Sequence, residues 1–329
     1  MKILVTGAGG FLGGAVVERL CGDGHDVLGF VRDEARWTNR PARAGVFVGD
    51  ITDAESLLEA AAGCDVVIHA AALVKQWVRD STQFDRVNVS GLNNVLQAVR
   101  RHDTRLLYVS SFIALGPSDA EPLDESHRPE ATEFYNDYHR TKWIADQMAR
   151  HAGETDVDLV RIYPGVVFGP GALTDGNHVV KLLLQHADGK LPGILGKGDR
   201  RQCFAYLDDV VNGIVQAVSR ASRGQGFILG GENRTVVELL TEFERLSGVP
   251  VPRRHIPFGI AGWVGRVQRW RAMMTGSEPE LTDEVVRIYR REWAYSSALA
   301  ERELGYRVTP FAEAMSRTVE WLKATGKLS

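Results

Sequence analysis

Through the first half of the chain, short runs of β-branched and leucine-rich residues alternate with stretches whose apolar positions recur at three- and four-residue spacing. The runs Ile3 to Thr6, Asp26 to Val31, Gly45 to Val48, Asp65 to His69, Arg105 to Ser110 and Val157 to Tyr163 read as strands, being short and bounded by turn residues. Ala54 to Ala62, Phe84 to Arg101 and Tyr135 to His151 read as crossover helices. Strict alternation of this kind predicts an α/β fold, a doubly wound parallel sheet with helices on both faces. From about Asn177 the pattern turns mostly helical, interrupted by a turn-rich stretch, Gly189 to Asp199, and a short strand at Gly226 to Leu229. The expected organisation is a sheet domain over 1–175, with a strand-and-helix return around 203–230, and a smaller, mostly helical C-terminal lobe over 176–329.

The first strand runs into a glycine cluster and then a helical pattern. Gly7, Gly10 and Gly13 fall at three-residue spacing, where a missing Cβ permits a positive φ, close approach of backbone to a pyrophosphate and close helix-to-strand packing. The helix N-terminus then faces the phosphates. This predicts dinucleotide binding. At the end of the second strand an acidic residue would suit the ribose of NAD. The chain instead gives Val31 and then Arg32, whose guanidinium can pair with a 2′-phosphate, so NADP is expected, with NAD as the alternative. Asp50-Ile51, just past the third strand, is placed to meet the adenine or to form a structural turn.

Composition narrows the field. A net charge of −3, with both signs interspersed, offers no clustered positive field for nucleic acid or an anionic membrane. The cysteines Cys21, Cys64 and Cys203 are odd in number and lack metal-ligand spacing, which predicts buried thiols in a reducing compartment and no metal site. The first strand starts almost at Met1 and no apolar run reaches the ~18 residues of a membrane span. A cytoplasmic, soluble protein is the expectation.

A second constellation is Tyr138 and Lys142 inside a predicted helix. Four-residue spacing puts both on one face, where the ammonium favours the phenolate and lowers a pKa that starts near ~10. Ser110 and Ser111 close the fifth strand, whose C-terminal end opens into the ligand crevice of a parallel sheet. A serine hydroxyl there can hold a substrate oxygen against the tyrosine.

These residues carry a resemblance that spans the chain. Thr6 to Gly13, Asp50-Ile51, His69 to Ala72, Asn88 to Gly91, Ser110-Ser111, Tyr138 to Lys142, Tyr163 to Pro170 and Leu207 to Asp209 resemble the motifs of the extended short-chain dehydrogenases/reductases, the NAD-dependent epimerase/dehydratase superfamily. The resemblance implies a Rossmann-type fold with Ser111, Tyr138 and Lys142 as the catalytic set, Ser111 lying five residues before Gly116 as the family's serine or threonine does. It further implies a cofactor site of Gly7, Gly10, Phe11, Leu12, Gly13, Arg32, Asp50, Ile51, Ala70, Ala71, Ala72, Asn88, Ser110, Tyr138, Lys142, Tyr163, Gly165 and Val166. Asn88 is expected to hold a water or backbone link in a proton relay, or to serve as a helix cap. A monomer or homodimer is implied.

Within the superfamily the chain is most similar to the dihydroflavonol-reductase-like branch, farnesol dehydrogenase in particular, through Ala71 to Trp77, Ser111 to Gly116, Gly230 to Asn233, Trp293 to Ser296 and Glu303 to Tyr306. Leu299 departs from the lysine frequent in relatives. That similarity implies a hydrophobic alcohol or its aldehyde or ketone as substrate. Nucleotide-sugar epimerases, the alternative within the superfamily, use Asn and Arg at the positions that hold Pro164 and Gln202 here. Sugar dehydratases place an acidic pair where this chain has Phe112-Ile113. A cofactor-binding sensor or scaffold without turnover is the alternative of another class. Trp77, Phe112, Phe168, Phe204 and Tyr206 are expected to line an apolar pocket, together with Leu73, Val74, Leu115 and Val167, although each is also an ordinary core residue type. Ile256 to Met274 mixes apolar residues with Arg266, Arg269 and Arg271. Its plainest reading is a helix packed on its own lobe, the alternatives being a lid or a membrane-surface helix.

Overall fold

The computed structural model describes residues 1–118, 121–128 and 133–328. At its centre lie β1 (Lys2–Thr6), β2 (Asp26–Val31), β3 (Gly45–Val48), β4 (Val66–His69), β5 (Arg105–Val109) and β6 (Leu159–Pro164), joined after three intervening strands by β10 (Gly226–Leu229). The seven run parallel in the order β10-β6-β5-β4-β1-β2-β3. The order reverses between β1 and β4, which opens a crevice at the carboxyl ends of those two strands.

Side-chain alternation along each strand assigns the two faces. Ile3 and Val5 point to a core shared with Val16, Val17 and Leu20 of α1 (Phe11–Gly22), Ile214 of α7 (Leu207–Arg220) and Leu304 of α11 (Ala298–Leu304). Leu4 points the other way, to Leu57 of α2 (Ala54–Ala61), Leu92 and Leu96 of α4 (Gly91–His102) and Ala145 of α5 (Asp137–Thr155). Both faces are thus buried, as the near-continuous apolar character of the strands requires. The helix expected over Phe84 to Arg101 is divided: α3 (Thr82–Phe84) leads into a π-helical segment, Asp85–Ser90, and only then α4. The catalytic-helix candidate α5 begins two residues later than its periodicity suggests, because the Asn136 side chain caps it by accepting the His139 N–H.

The remainder is mostly helical, as expected, with small strands threaded through it. A three-stranded sheet joins β7 (Val166–Phe168), β9 (Arg201–Tyr206) and β11 (Glu232–Thr235); a two-stranded one joins β8 (Ile194–Leu195) and β12 (His255–Ile256). Around them lie α6 (His178–Ala187), α8 (Val236–Ser247), α9 (Phe258–Thr275), α10 (Asp283–Tyr289) and α12 (Phe311–Ala324). Thr235 and Glu238 form a reciprocal capping box on α8. Val180, Leu183, Leu240, Phe243 and Met315 fill the core between these helices. Among the described residues no helix is long and apolar enough to cross a membrane.

Candidate active site

The crevice is built first by glycine. Gly7 has φ +74°, and a Cβ there would lie 2.8 Å from the Ala71 nitrogen, so the turn after β1 rests directly on the loop after β4. A Cβ on Gly13 would lie 2.3 Å from the Gly7 carbonyl oxygen, so α1 starts directly over the same turn. Gly10 caps α1 without a side-chain hydrogen bond, and no acidic residue stands in the first turn, Phe11 and Leu12 leading it. The first N–H groups of a helix lack intrahelical acceptors, so this bare helix end fits a diphosphate. The loop carrying Ala70, Ala71 and Ala72 is tied to β1: the Ala70 N–H donates to the Thr6 carbonyl at 3.2 Å and the Ala71 N–H to Thr6 Oγ1 at 3.3 Å. The same hydroxyl shares a 2.7 Å hydrogen bond with His69 Nδ1.

Of the residues expected beside the adenosine, Arg32 stands exposed just past β2 and forms no ion pair among the described residues. Asp50 closes a turn, its Oδ1 accepting both the N–H and the hydroxyl of Thr52 at 2.9 Å. Ile51 is buried under α4, so close that a Cβ on Gly91 would sit 2.9 Å from it. Trp37 was not singled out from the sequence, yet its indole covers Gly29, where a Cβ would lie 2.2 Å from the ring, and its Nε1 is buried with no hydrogen-bond partner. The signal for it is Gly29 itself, a glycine inside a strand, which marks close approach of another group.

The catalytic candidates lie on α5 and just past the close of β5. Ser111 follows β5 and caps a short 3-10 turn, Phe112–Leu115, its Oγ accepting the Ile113 N–H at 3.3 Å. Its hydroxyl is directed at the Tyr138 phenol and draws the phenol's pKa down, but burial outweighs it and pushes Tyr138 up to about 12. Burial also lowers Lys142 to about 8, opposed by the carboxylate of Asp146 one helical turn on. Lys142 Nζ donates to the Val109 carbonyl at 3.2 Å and lies 5.3 Å from the centre of the Tyr108 ring. The expected lowering of Tyr138 by Lys142 is therefore corrected: in this state desolvation governs both groups. Ser110 has a buried hydroxyl turned to Tyr108 and Asp146. Tyr163 is also interior, its hydroxyl accepting from Arg161 at 3.2 Å. Gly165 lets β6 lie against β9, a Cβ there falling 2.5 Å from the Cys203 carbonyl oxygen, and Val166 then opens β7.

Asn88 sits in the π-helical segment with its side-chain amide spent on protein partners. It pins both backbone groups of Leu73 and donates to Thr141 Oγ1 at 3.1 Å. Through these bonds the loop after β4 is fastened to α5. Arg140 ties α5 to the first residue of the π-helical segment with a bidentate pair to Asp85 at 2.8 and 2.6 Å; sequence reasoning missed it, lying as it does between the two residues that drew attention.

The apolar candidates divide. Trp77, Leu73, Val74 and Phe112 are half-buried, and Phe112 leans on Trp293 and Tyr295 with ring centres 5.7 and 5.5 Å apart. Leu115 is fully buried in the same cluster, and Val167 is buried in the core under α1 and α7. Phe168, Phe204 and Tyr206 are core: Phe168 meets Phe204, Tyr206 and Phe311 at 6.3, 6.1 and 6.0 Å. Their rings are taken up by this packing, and the expectation that they face a pocket gives way to the ordinary-core reading. Cys21, Cys64 and Cys203 are buried and unpaired. Among the described residues no group of three or more His, Cys, Asp or Glu is arranged to hold a metal ion.

Similarity to known proteins agrees with this geometry. Residues 3–230 match the NAD dependent epimerase/dehydratase family. A putative dihydroflavonol 4-reductase of Synechocystis sp. is 26% identical over 98% of this chain and 94% of its own. The 2-alkyl-3-oxoalkanoate reductase of Stenotrophomonas maltophilia is 30% identical over 93% of this chain and 94% of its own. The crystal structure of gox2253 superimposes with a TM-score of 0.83 at 28% identity, covering 100% of this chain and 99% of that one. UDP-sugar 4-epimerases share the fold at 20% identity. With a family match over residues 3–230, a parallel sheet with its crevice between β1 and β4, and a bare glycine-capped helix at that crevice, the chain belongs to the NAD dependent epimerase/dehydratase family, within the extended short-chain dehydrogenases/reductases.

Proposed function

We propose that the chain is an NAD(P)-dependent oxidoreductase that interconverts a hydrophobic alcohol and its aldehyde or ketone, in the manner of dihydroflavonol-reductase-like or farnesol-dehydrogenase-like enzymes. The observation that carries this reading is Tyr138, a phenol kept protonated by burial, with the Ser111 hydroxyl directed at it and Lys142 one turn along the same helix. The bound nicotinamide supplies or accepts the hydride. Tyr138 gives its proton to the carbonyl oxygen in reduction and takes it back in oxidation. Ser111 holds that oxygen by a hydrogen bond. Lys142 faces the charge left on Tyr138 and holds the ribose. NADP is the expected cofactor because Arg32 is exposed and unpaired where a 2′-phosphate would lie, NAD being its competitor. The reductase names of the two relatives support the reaction class.

An epimerase reading finds support in the shared fold. Against it stand Pro164 and Gln202, which replace the side chains the resemblance leads one to expect at a diphosphate. A sensor without turnover would have no use for Tyr138 and Lys142 together. Screening prenyl alcohols, flavanonols and ketosteroids with NADP and NAD, by absorbance of the reduced nicotinamide, tests all three. Tyr138→Phe is expected to lower turnover by about 10²–10⁴ while cofactor binding persists. Near-normal turnover in that variant overturns the proposal, and cofactor binding without turnover on any substrate favours the sensor.

A further inference from the structure

Helix α9 turns its small residues to the protein and its large apolar ones outward, the reverse of the usual arrangement. Its buried positions are Ala261, Gly265 and Ala272, and the helix sits so close to the start of α10 that a Cβ on Gly265 would lie 2.5 Å from the Asp283 nitrogen. The large side chains point outward. Ile260, Trp263, Val267, Trp270 and Met274 recur at three- and four-residue steps, which makes one continuous stripe opposite the small-residue face. Trp263 and Trp270 are 62% and 63% exposed. Among the described residues, every exposed large apolar side chain except Met1 and Val48 lies on this helix.

The whole-chain balance, which offers an anionic membrane no clustered positive field, conceals a local excess of arginine along this segment. Between Glu244 and Glu278 the chain has no Asp or Glu but carries Arg245, Arg253, Arg254, Arg266, Arg269 and Arg271, in a protein whose net charge is −3. Arg245 and Arg269 are engaged with Glu242 and with Asp283 and Glu284. Arg253, Arg254, Arg266 and Arg271 are exposed and form no ion pair among the described residues, and by helical geometry Arg266 and Arg271 flank the stripe on either side. The end of α9 abuts the loop that carries Trp77, with Lys75 paired to Glu278 at 3.2 Å and the Arg79 guanidinium against Gly276.

We propose that α9 seats the protein on an anionic lipid bilayer, its tryptophan stripe in the headgroup and acyl boundary and its free arginines on the lipid phosphates. Aromatic and aliphatic side chains bordered by unpaired arginines match that interface. A second copy on the same face would bring the same unpaired arginines together, a like-charge arrangement that costs rather than contributes. A lid fits no better, since the stripe points away from the face that packs on the protein. The docking places the Trp77 loop beside lipid, and delivery of an apolar substrate from the bilayer follows only if the oxidoreductase reading is correct.

The test is vesicle flotation of the intact protein without cofactor or substrate. It compares pure phosphatidylcholine with phosphatidylcholine containing phosphatidylglycerol, alongside sedimentation for oligomeric state. The wild type is expected to float with the anionic vesicles and to release as salt is raised. Trp263→Ser with Trp270→Ser is expected to cut binding about tenfold or more at an unchanged unfolding temperature, and Arg266→Gln with Arg271→Gln to flatten the salt dependence. No binding to anionic vesicles, equal binding to both compositions, or a dimer that dissolves with the tryptophan pair overturns the proposal. Flotation that persists in a protein with no turnover overturns the oxidoreductase reading alone.

Discussion

The Asn88 side-chain amide accepts the Leu73 N–H at 2.8 Å and donates to the Leu73 carbonyl at 3.2 Å, so one side chain replaces a whole backbone partner for the loop after β4. Asn88→Ala leaves those groups and Thr141 without it in a largely buried setting. A loss of about 2–3 kcal/mol in urea unfolding is expected. If Trp77 on that loop lines the substrate site, as the proposed function has it, KM should rise more than kcat falls. An unchanged KM at reduced stability would show that the clamp holds the fold without shaping the site.

Arg32 gives a cofactor prediction with a built-in control. If its guanidinium meets a 2′-phosphate, Arg32→Ala raises KM for NADP about tenfold or more and leaves KM for NAD nearly unchanged, the size expected of one charge-assisted contact. Equal effects on the two cofactors would assign Arg32 a general surface role.

Two glycines of α1 separate close packing from helix preference. Gly13→Ala forces a Cβ to 2.3 Å from the Gly7 carbonyl oxygen, whereas a Cβ on Gly22 meets nothing within 4 Å. Gly13→Ala should destabilise by about 2–3 kcal/mol and weaken cofactor binding. Gly22→Ala should be neutral or stabilise by up to about 1 kcal/mol. Urea midpoints and cofactor titration read both.

His69 predicts an acid-sensitive fold. Burial, with Lys142 adding a smaller push, lowers its imidazole to about 3 from an ordinary value of 6.5. The unfolded chain therefore takes a proton below about pH 6.5 that the folded one refuses until about pH 3. Stability is fully present above pH 6.5 and is lost as pH falls across that window, a contribution on the order of 5 kcal/mol. His69→Asn should flatten the fall of stability between pH 6.5 and 4 relative to wild type, followed by thermal unfolding at each pH.

The sheet was legible because its signal is local. Ile3, Leu4 and Val5 carry the apolar run of a strand buried on both faces, and Gly7 to Gly13 mark the turn by absence of side chains. β11 was not legible: Glu232–Thr235 are four polar residues, and what makes them a strand is the partner β9, distant in sequence. The π-helical segment at Asn88 was hidden for the same reason, since a spacing pattern does not distinguish one more residue in a turn. At the site, spacing placed Tyr138 and Lys142 on one helix but said nothing of their burial, and burial reverses the expected direction for Tyr138. Phe168, Phe204 and Tyr206 flank motif residues, which suggests pocket walls, and only their tertiary contacts, Phe168 and Phe204 with Phe311 and Tyr206 with Phe168, show them as core.

The main sheet leaves one edge open for a long time during synthesis. β6 ends at Pro164, and the strand that covers its free edge, Gly226–Leu229, is made only after the chain has gone through β7, β8, β9 and α7. A nascent or proteolysed chain that stops before residue 226 therefore presents an unpaired apolar strand, a template for association with other chains. The return strand is thus a completion signal for folding: fragments ending upstream of it should aggregate, and those that include it and its α11 cover should not.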